Sequence, residues 1–138
     1  QMPLAGYRFL VAEDNAINAE ILCELLAMFG AESEVKTDGA QTVEAFCAAA
    51  EGAYDAILMD IQMPQMNGYE ATRVIRETGR PDAKRIPIIA MTANAFAEDV
   101  QASLDAGMTA HIAKPIDVEV LRDTLAGVLG RHENKTHL

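Results

Sequence analysis

Nowhere in these 138 residues does an unbroken apolar run approach the roughly 18 residues needed to span a bilayer, so no membrane-crossing helix is expected. Basic residues are also scarce. Eleven Lys and Arg stand against 21 Asp and Glu, a formal charge of −10 that repels phosphate backbones and anionic lipid headgroups. Direct nucleic-acid binding and membrane contact are therefore both disfavoured. There are two cysteines, too few for a disulfide framework. Cys23 and Cys47 fall inside helix-like apolar patterns and read as reduced core residues, which suits a cytoplasmic protein. Internal repeats, low-complexity tracts and linkers are absent, and the first residue is Gln1 rather than a translation start, so an excised piece of a longer, multidomain parent is expected.

What the chain does have is an apolar half, 50% of its residues, enough for one domain with a real core. Short apolar runs alternate with helix-length amphipathic stretches. The expected strands are Arg8 to Ala12, Ser33 to Lys36, Ala56 to Met59, Ile88 to Met91 and Ala110 to Ala113. Between them, Ile17, Ile21, Leu25 and Leu22, Leu26, Phe29 recur at helical spacing, as do Val43, Phe46, Cys47, then Val100 and Leu104, and finally Val120, Leu121, Leu125, Val128 and Leu129. Gly30, Gly79 and Gly107 follow helices where a left-handed residue commonly ends them. Strict alternation of strand and helix implies a parallel sheet with right-handed crossovers, an α/β (βα)5 doubly wound domain. That single domain fills residues 1–138, with its core at about 7–130 and a frayed tail at 131–138.

In an open parallel sheet the usable crevice lies beyond the carboxyl ends of the strands. Glu13-Asp14-Asn15 follow the first strand, Asp60 the third, Thr92 the fourth and Lys114-Pro115 the fifth. If the first and third strands are neighbours, three carboxylates converge. Like charges within roughly 4 to 6 Å raise one another's pKa unless a cation lies among them. The candidate ligands are all oxygens, so a hard cation fits, and a small carboxylate set with room for water and phosphate favours Mg²⁺ over Ca²⁺. Lys114 and Thr92 suit phosphoryl oxygens, and the carboxylate of Asp60 can attack phosphorus to give an acyl phosphate.

The pair Glu13-Asp14, the stretch "DIQMPQMNG" at 60 to 68, "MTAN" at 91 to 94 and "KP" at 114 to 115 resemble the receiver, or response-regulator, domain of two-component signalling. The match runs from about residue 7 to 130. "EDNAIN" at 13 to 18 and "MNGYEATRVIR" at 66 to 76 are most similar to receivers of hybrid sensor histidine kinases. The resemblance implies a flavodoxin-like five-stranded sheet in the order 2-1-3-4-5. Asp60 would be the phosphoacceptor, Asp14 a direct Mg²⁺ ligand, Glu13 a direct or water-mediated one, and the backbone carbonyl of Gln62 a further ligand, with Mn²⁺ as a substitute ion. Thr92 and Lys114 would bind the phosphoryl group, the Lys114-Pro115 peptide would be cis, and Gln62 and Asn94 would tune hydrolysis. The implied partner is a histidine kinase core or a histidine phosphotransfer domain. Similar domains pair through the fourth helix, fifth strand and fifth helix, so a monomer or weak dimer is expected.

One position departs from the family pattern. Receivers carry Tyr or Phe three residues before the lysine, and here that residue is His111. We read it as a partly exposed strand histidine in preference to a pH-sensitive coupling group. Taken singly, Asp14 or Asn15 suits a helix N-cap, Thr92 another cap, and Lys114 a solvated lysine; an acidic pair, an acid, a hydroxyl and a lysine at four strand ends together do not. An aspartate-nucleophile phosphatase needs a second acid two residues after the nucleophile, and that residue is Gln62. An FMN carrier wants a polar phosphate loop where this chain has two acids. An unphosphorylated interaction scaffold remains the alternative.

Overall fold

The computed structural model describes residues 3–93 and 97–133; the expected tuning residue Asn94 lies outside them. Five strands alternate with five helices: β1 (Arg8–Ala12), α1 (Ala16–Met28), β2 (Glu32–Lys36), α2 (Gly39–Ala48), β3 (Ala56–Asp60), α3 (Gly68–Arg76), β4 (Ile88–Thr92), α4 (Ala97–Ala106), β5 (Ala110–Ala113) and α5 (Val118–Glu133). All neighbouring strands pair in parallel, in the order β2-β1-β3-β4-β5. The doubly wound (βα)5 sheet expected from the alternation is the observed one, with strand ends displaced by at most one residue.

The central strands show why. β3 and β4 are buried at every position, as strands covered on both faces must be. Alternate residues feed separate cores. Ala56 and Leu58 join Phe9, Val11, Ile89 and Met91 beneath Leu22 and Leu26 of α1 and Leu121 and Leu125 of α5. Ile57 and Met59 join Leu10, Ile88 and Ala90 beneath Phe46 of α2 and Ala71 and Ile75 of α3. Each fully buried Leu or Ile stabilises the fold by about 1.5–3 kcal/mol relative to exposure. The core also begins earlier than residue 7: Leu4 is buried, and its N–H donates to the Phe29 carbonyl at 2.9 Å. α5 runs on to Glu133, past the expected tail boundary.

Several expectations about apolar faces need correction, and Leu104 of α4 and Val120 of α5 are exposed, not on the buried stripes. Ile17 and Ile21 are 69% and 50% exposed, because the buried stripe of α1 is Ala19, Leu22 and Leu26, continued by Phe29. On α2 the buried stripe is Gly39, Thr42 and Phe46, and Cys47, the next residue round the helix, is turned outward. Both cysteines are unpaired, but Cys47 is exposed and Cys23 only half-buried, so neither is a core residue.

Candidate functional site

Each side chain at the carboxyl edge is placed by a short local device. The Glu13 N–H donates to the Lys36 carbonyl at 3.0 Å, which continues the β1–β2 ladder one residue, and the Glu13 side chain is buried. Asn15 then caps α1, its side chain accepting from the Asn18 N–H at 3.0 Å. After Asp60 the chain reverses tightly. The Gly68 N–H donates to the Ile61 carbonyl at 2.8 Å, and a Cβ at Gly68 would collide with the Asp60 carbonyl, so only glycine fits there. The Lys114 N–H donates to the Thr92 carbonyl at 2.8 Å, tying the end of β5 to the end of β4, and the Lys114-Pro115 peptide is cis.

These devices converge on one cleft of about 310 Å³, lined by Glu13, Asp14, Asp60, Gln62, Thr92 and Lys114 among others. Oxygens of Glu13, Asp14 and Asp60 all lie within 4.8 Å of one another. Glu13 and Asp60 are 3% and 5% exposed, whereas Asp14 is open to solvent. The Lys114 ammonium bridges the two buried acids, 3.2 Å from Glu13 Oε1 and 3.1 Å from Asp60 Oδ2. Glu13 Oε2 accepts from the Asn15 N–H at 3.1 Å, and Asp60 Oδ1 from the Gln62 N–H at 3.3 Å. Among the described residues the cleft thus gathers three carboxylates and one ammonium, which two of the acids share, and the site is short of positive charge.

The titration behaviour reflects that shortage. Burial, the largest influence, raises the pKa of Glu13 above its ordinary 4.5; the Asn15 N–H opposes this, Asp60 adds to it, and Lys114 does not bring it back down. For Lys114, burial alone pushes the pKa down, but the contacts to Asp60 and then to Glu13 outweigh burial and the net shift is upward. Among the described residues the donor set fits a hard divalent ion: three carboxylates, no imidazole or thiolate, and open space on the solvent side for water.

His111 and Pro115 are both exposed, and neither lines the cleft. Sequence reasoning passed over Asn18, which does line it. Its signal was its place one helical turn beyond Asn15, on the side of α1 that faces the acids.

Residues 9–126 match the response regulator receiver domain family. The chain is a receiver domain. It is 40% identical over 137 residues to "Probable histidine kinase 2" of Oryza sativa subsp. indica, covering 91% of this chain and 13% of that protein. It is 36% identical over 135 residues to a peroxide stress-activated histidine kinase of Schizosaccharomyces pombe, covering 96% of this chain and 8% of that one. The receiver thus spans only a small fraction of the length of these relatives.

Among solved structures, the receiver domain of a sensor histidine kinase from Pseudomonas aeruginosa, with a magnesium ion coordinated in its active-site cleft, superposes with a TM-score of 0.81 at 38% identity, covering 91% of this chain and 99% of that one. A receiver domain of a Saccharomyces cerevisiae response regulator, crystallised with a histidine phosphotransfer protein, superposes with a TM-score of 0.78 at 27% identity, covering 88% and 87%. No helix among the described residues is long and apolar enough to cross a membrane.

Proposed function

We propose that this receiver accepts a phosphoryl group on Asp60 from a phosphohistidine, carried by a histidine kinase core or a histidine phosphotransfer domain. The supporting observation is the charge imbalance of the cleft: three carboxylates, two of them buried, around a single ammonium. Such a site favours a divalent cation and a phosphoryl group accompanied by one. Asp14, Asp60, Glu13 and the Gln62 carbonyl would hold Mg²⁺, which supplies charge neutralisation of the phosphoryl oxygens.

The chain's own residues do the rest. Asp60, pinned at the end of a fully buried strand, presents one carboxylate oxygen to phosphorus. The oxygen–phosphorus bond forms as the phosphorus–nitrogen bond to the donor imidazole breaks, and the bonding pair leaves with that nitrogen. Lys114, released from sharing two acids, pairs with the transferred group. Thr92 contributes its hydroxyl, and the new dianion biases the segment that follows β4. Attack by water returns Asp60 to the free acid. The domain acts in the cytoplasm, as part of a longer sensor kinase and as a monomer or weak dimer.

Incubation with phosphoramidate and Mg²⁺, read by intact mass, tests this. One added phosphoryl group is expected, and none when EDTA is present from the start. An unchanged mass would leave the scaffold reading, and continuous phosphate release from assorted monoesters would point to a phosphatase. Replacing Mg²⁺ by Mn²⁺ in the same assay shows whether the second ion serves.

A further inference from the structure

The first turns of α1 and α3 invite the same capping arrangement and resolve it differently. In α3, Asn67 accepts from the Glu70 N–H at 2.9 Å while Glu70 accepts from the Asn67 N–H at 3.0 Å, closing a reciprocal box. In α1, Asn15 accepts from the Asn18 N–H, but the Asn15 N–H has already been taken by Glu13 Oε2. Asn18 therefore has no backbone group to return to. Among the described residues no hydrogen bond engages its carboxamide, which stands exposed at the mouth of the acidic cleft.

That carboxamide also lines a second cavity. A groove of about 390 Å³, bounded by Ile21, Leu22, Pro115 and Ile116, opens beside the cleft and shares Glu13, Asn18, Met91 and Lys114 with it. Asn18 thus sits between the reacting acids and an apolar slot. In-line displacement puts the leaving group on the side of phosphorus away from Asp60. Asp60 is 5% exposed, so a donor reaches it from the solvent side of the cleft, and the exposed Asn18 is among the residues that line that cleft.

We infer that Asn18 determines donor specificity, its carboxamide oxygen accepting the ring N–H of a phosphorylated imidazole. This rests on the phosphoryl-accepting reading above and deepens it. An imidazole protonated at its second nitrogen departs as a neutral ring, whereas the unprotonated ring must depart as an anion. An acceptor at that N–H favours the protonated ring and so the better leaving group. A donor whose leaving group is a carboxylate offers no such N–H. Asn18 therefore separates nitrogen-heterocycle donors from acyl phosphates, which the charge of the cleft alone does not do.

The test compares monophosphoimidazole with acetyl phosphate on the whole domain with Mg²⁺, wild type against Asn18→Ala, reading phosphorylation rates by intact mass. Alanine is the best helix former, so the variant keeps its helix. The ratio of the monophosphoimidazole rate to the acetyl phosphate rate is expected to fall about three- to tenfold, the size of one neutral hydrogen bond. The fall should be greatest at the pH where the wild type most prefers the protonated ring. An unchanged ratio, with both rates kept or both reduced in step, overturns the inference while leaving the functional reading intact. A wild-type chain that accepts neither donor overturns both.

Discussion

The two edges of the sheet handle charge in opposite ways. At the amino-terminal edge, where the helices end, Arg76 donates to the carbonyls of Gly107, Ala83 and Ile86 at 2.7–3.0 Å, and burial lowers its pKa. Arg80 nearby donates to the carbonyls of Phe46, Cys47 and Ala49 at the end of α2, pairs with Asp82 at 3.2 Å and lies over the Phe46 ring. Arg80 fills orphan acceptors at the end of α2, and Arg76 ties the carbonyl just past α4 to carbonyls of the loop before β4. At the carboxyl-terminal edge, Glu13 and Asp60 share Lys114, and Asp14 lies beside them with no ion pair among the described residues. The first edge is electrostatically complete without any further component, and the second is not. Completed polar groups hold a fold together, while an uncompensated cluster calls for a ligand.

Variants at the two edges should separate these roles. The largest effect is expected from Asp60→Asn, which removes the proposed nucleophile and should lower phosphorylation by phosphoramidate at least about a thousandfold, with the urea midpoint showing that the chain still folds. Arg76→Met should do the reverse. Stranding three carbonyls costs about 2–4 kcal/mol, read from urea denaturation, while phosphorylation under folding conditions stays near the wild-type rate. If Arg76→Met abolished phosphorylation in a fully folded sample, the division between the edges would fail.

Magnesium sharpens the same contrast. Present at ten times its dissociation constant, it should stabilise the wild type by about 1.4 kcal/mol, seen as a raised Tm. Asp14→Asn should lose most of that gain, and Arg80→Ala should keep it despite a lower starting Tm.

A smaller effect is expected at the β2 edge. The Tyr54 hydroxyl donates to Glu34 Oε1 at 2.8 Å, and this bond is the main reason the Glu34 carboxyl lies below its ordinary 4.5. An acid depressed in the folded state contributes stability that is complete above its ordinary value and is lost as pH falls through the depressed one. Tyr54→Phe should therefore cost about 0.5–1.5 kcal/mol at pH 7 and less in acid. An equal loss at both pH values would show that packing, not the hydrogen bond, is responsible.

The difference between the edges also explains what could be read from the sequence. The acids, Thr92 and Lys114 were legible because each follows an apolar run, and a parallel sheet gathers such positions at one edge. Arg76 and Arg80 were not, because their partners are backbone carbonyls, which leave no mark in the sequence. Periodicity found the helices but did not choose between adjacent apolar rows. Ile17 and Leu22 lie on neighbouring stripes of α1, and only the packed sheet shows that Leu22 turns inward. Asn18 escaped notice for a related reason: Glu13 takes the Asn15 N–H inside the turn between β1 and α1, so the carboxamide of Asn18 does not fold back onto it, and spacing does not reveal that.

The most direct measurement is to locate the phosphoryl group. An aspartyl phosphate is reduced by borohydride to homoserine, so the chain can be phosphorylated with phosphoramidate and Mg²⁺, reduced, digested and sequenced by mass spectrometry. Homoserine at position 60 and at no other aspartate is predicted. Homoserine elsewhere, or none in a folded sample, would contradict the assignment of the acidic cleft as a phosphoryl acceptor.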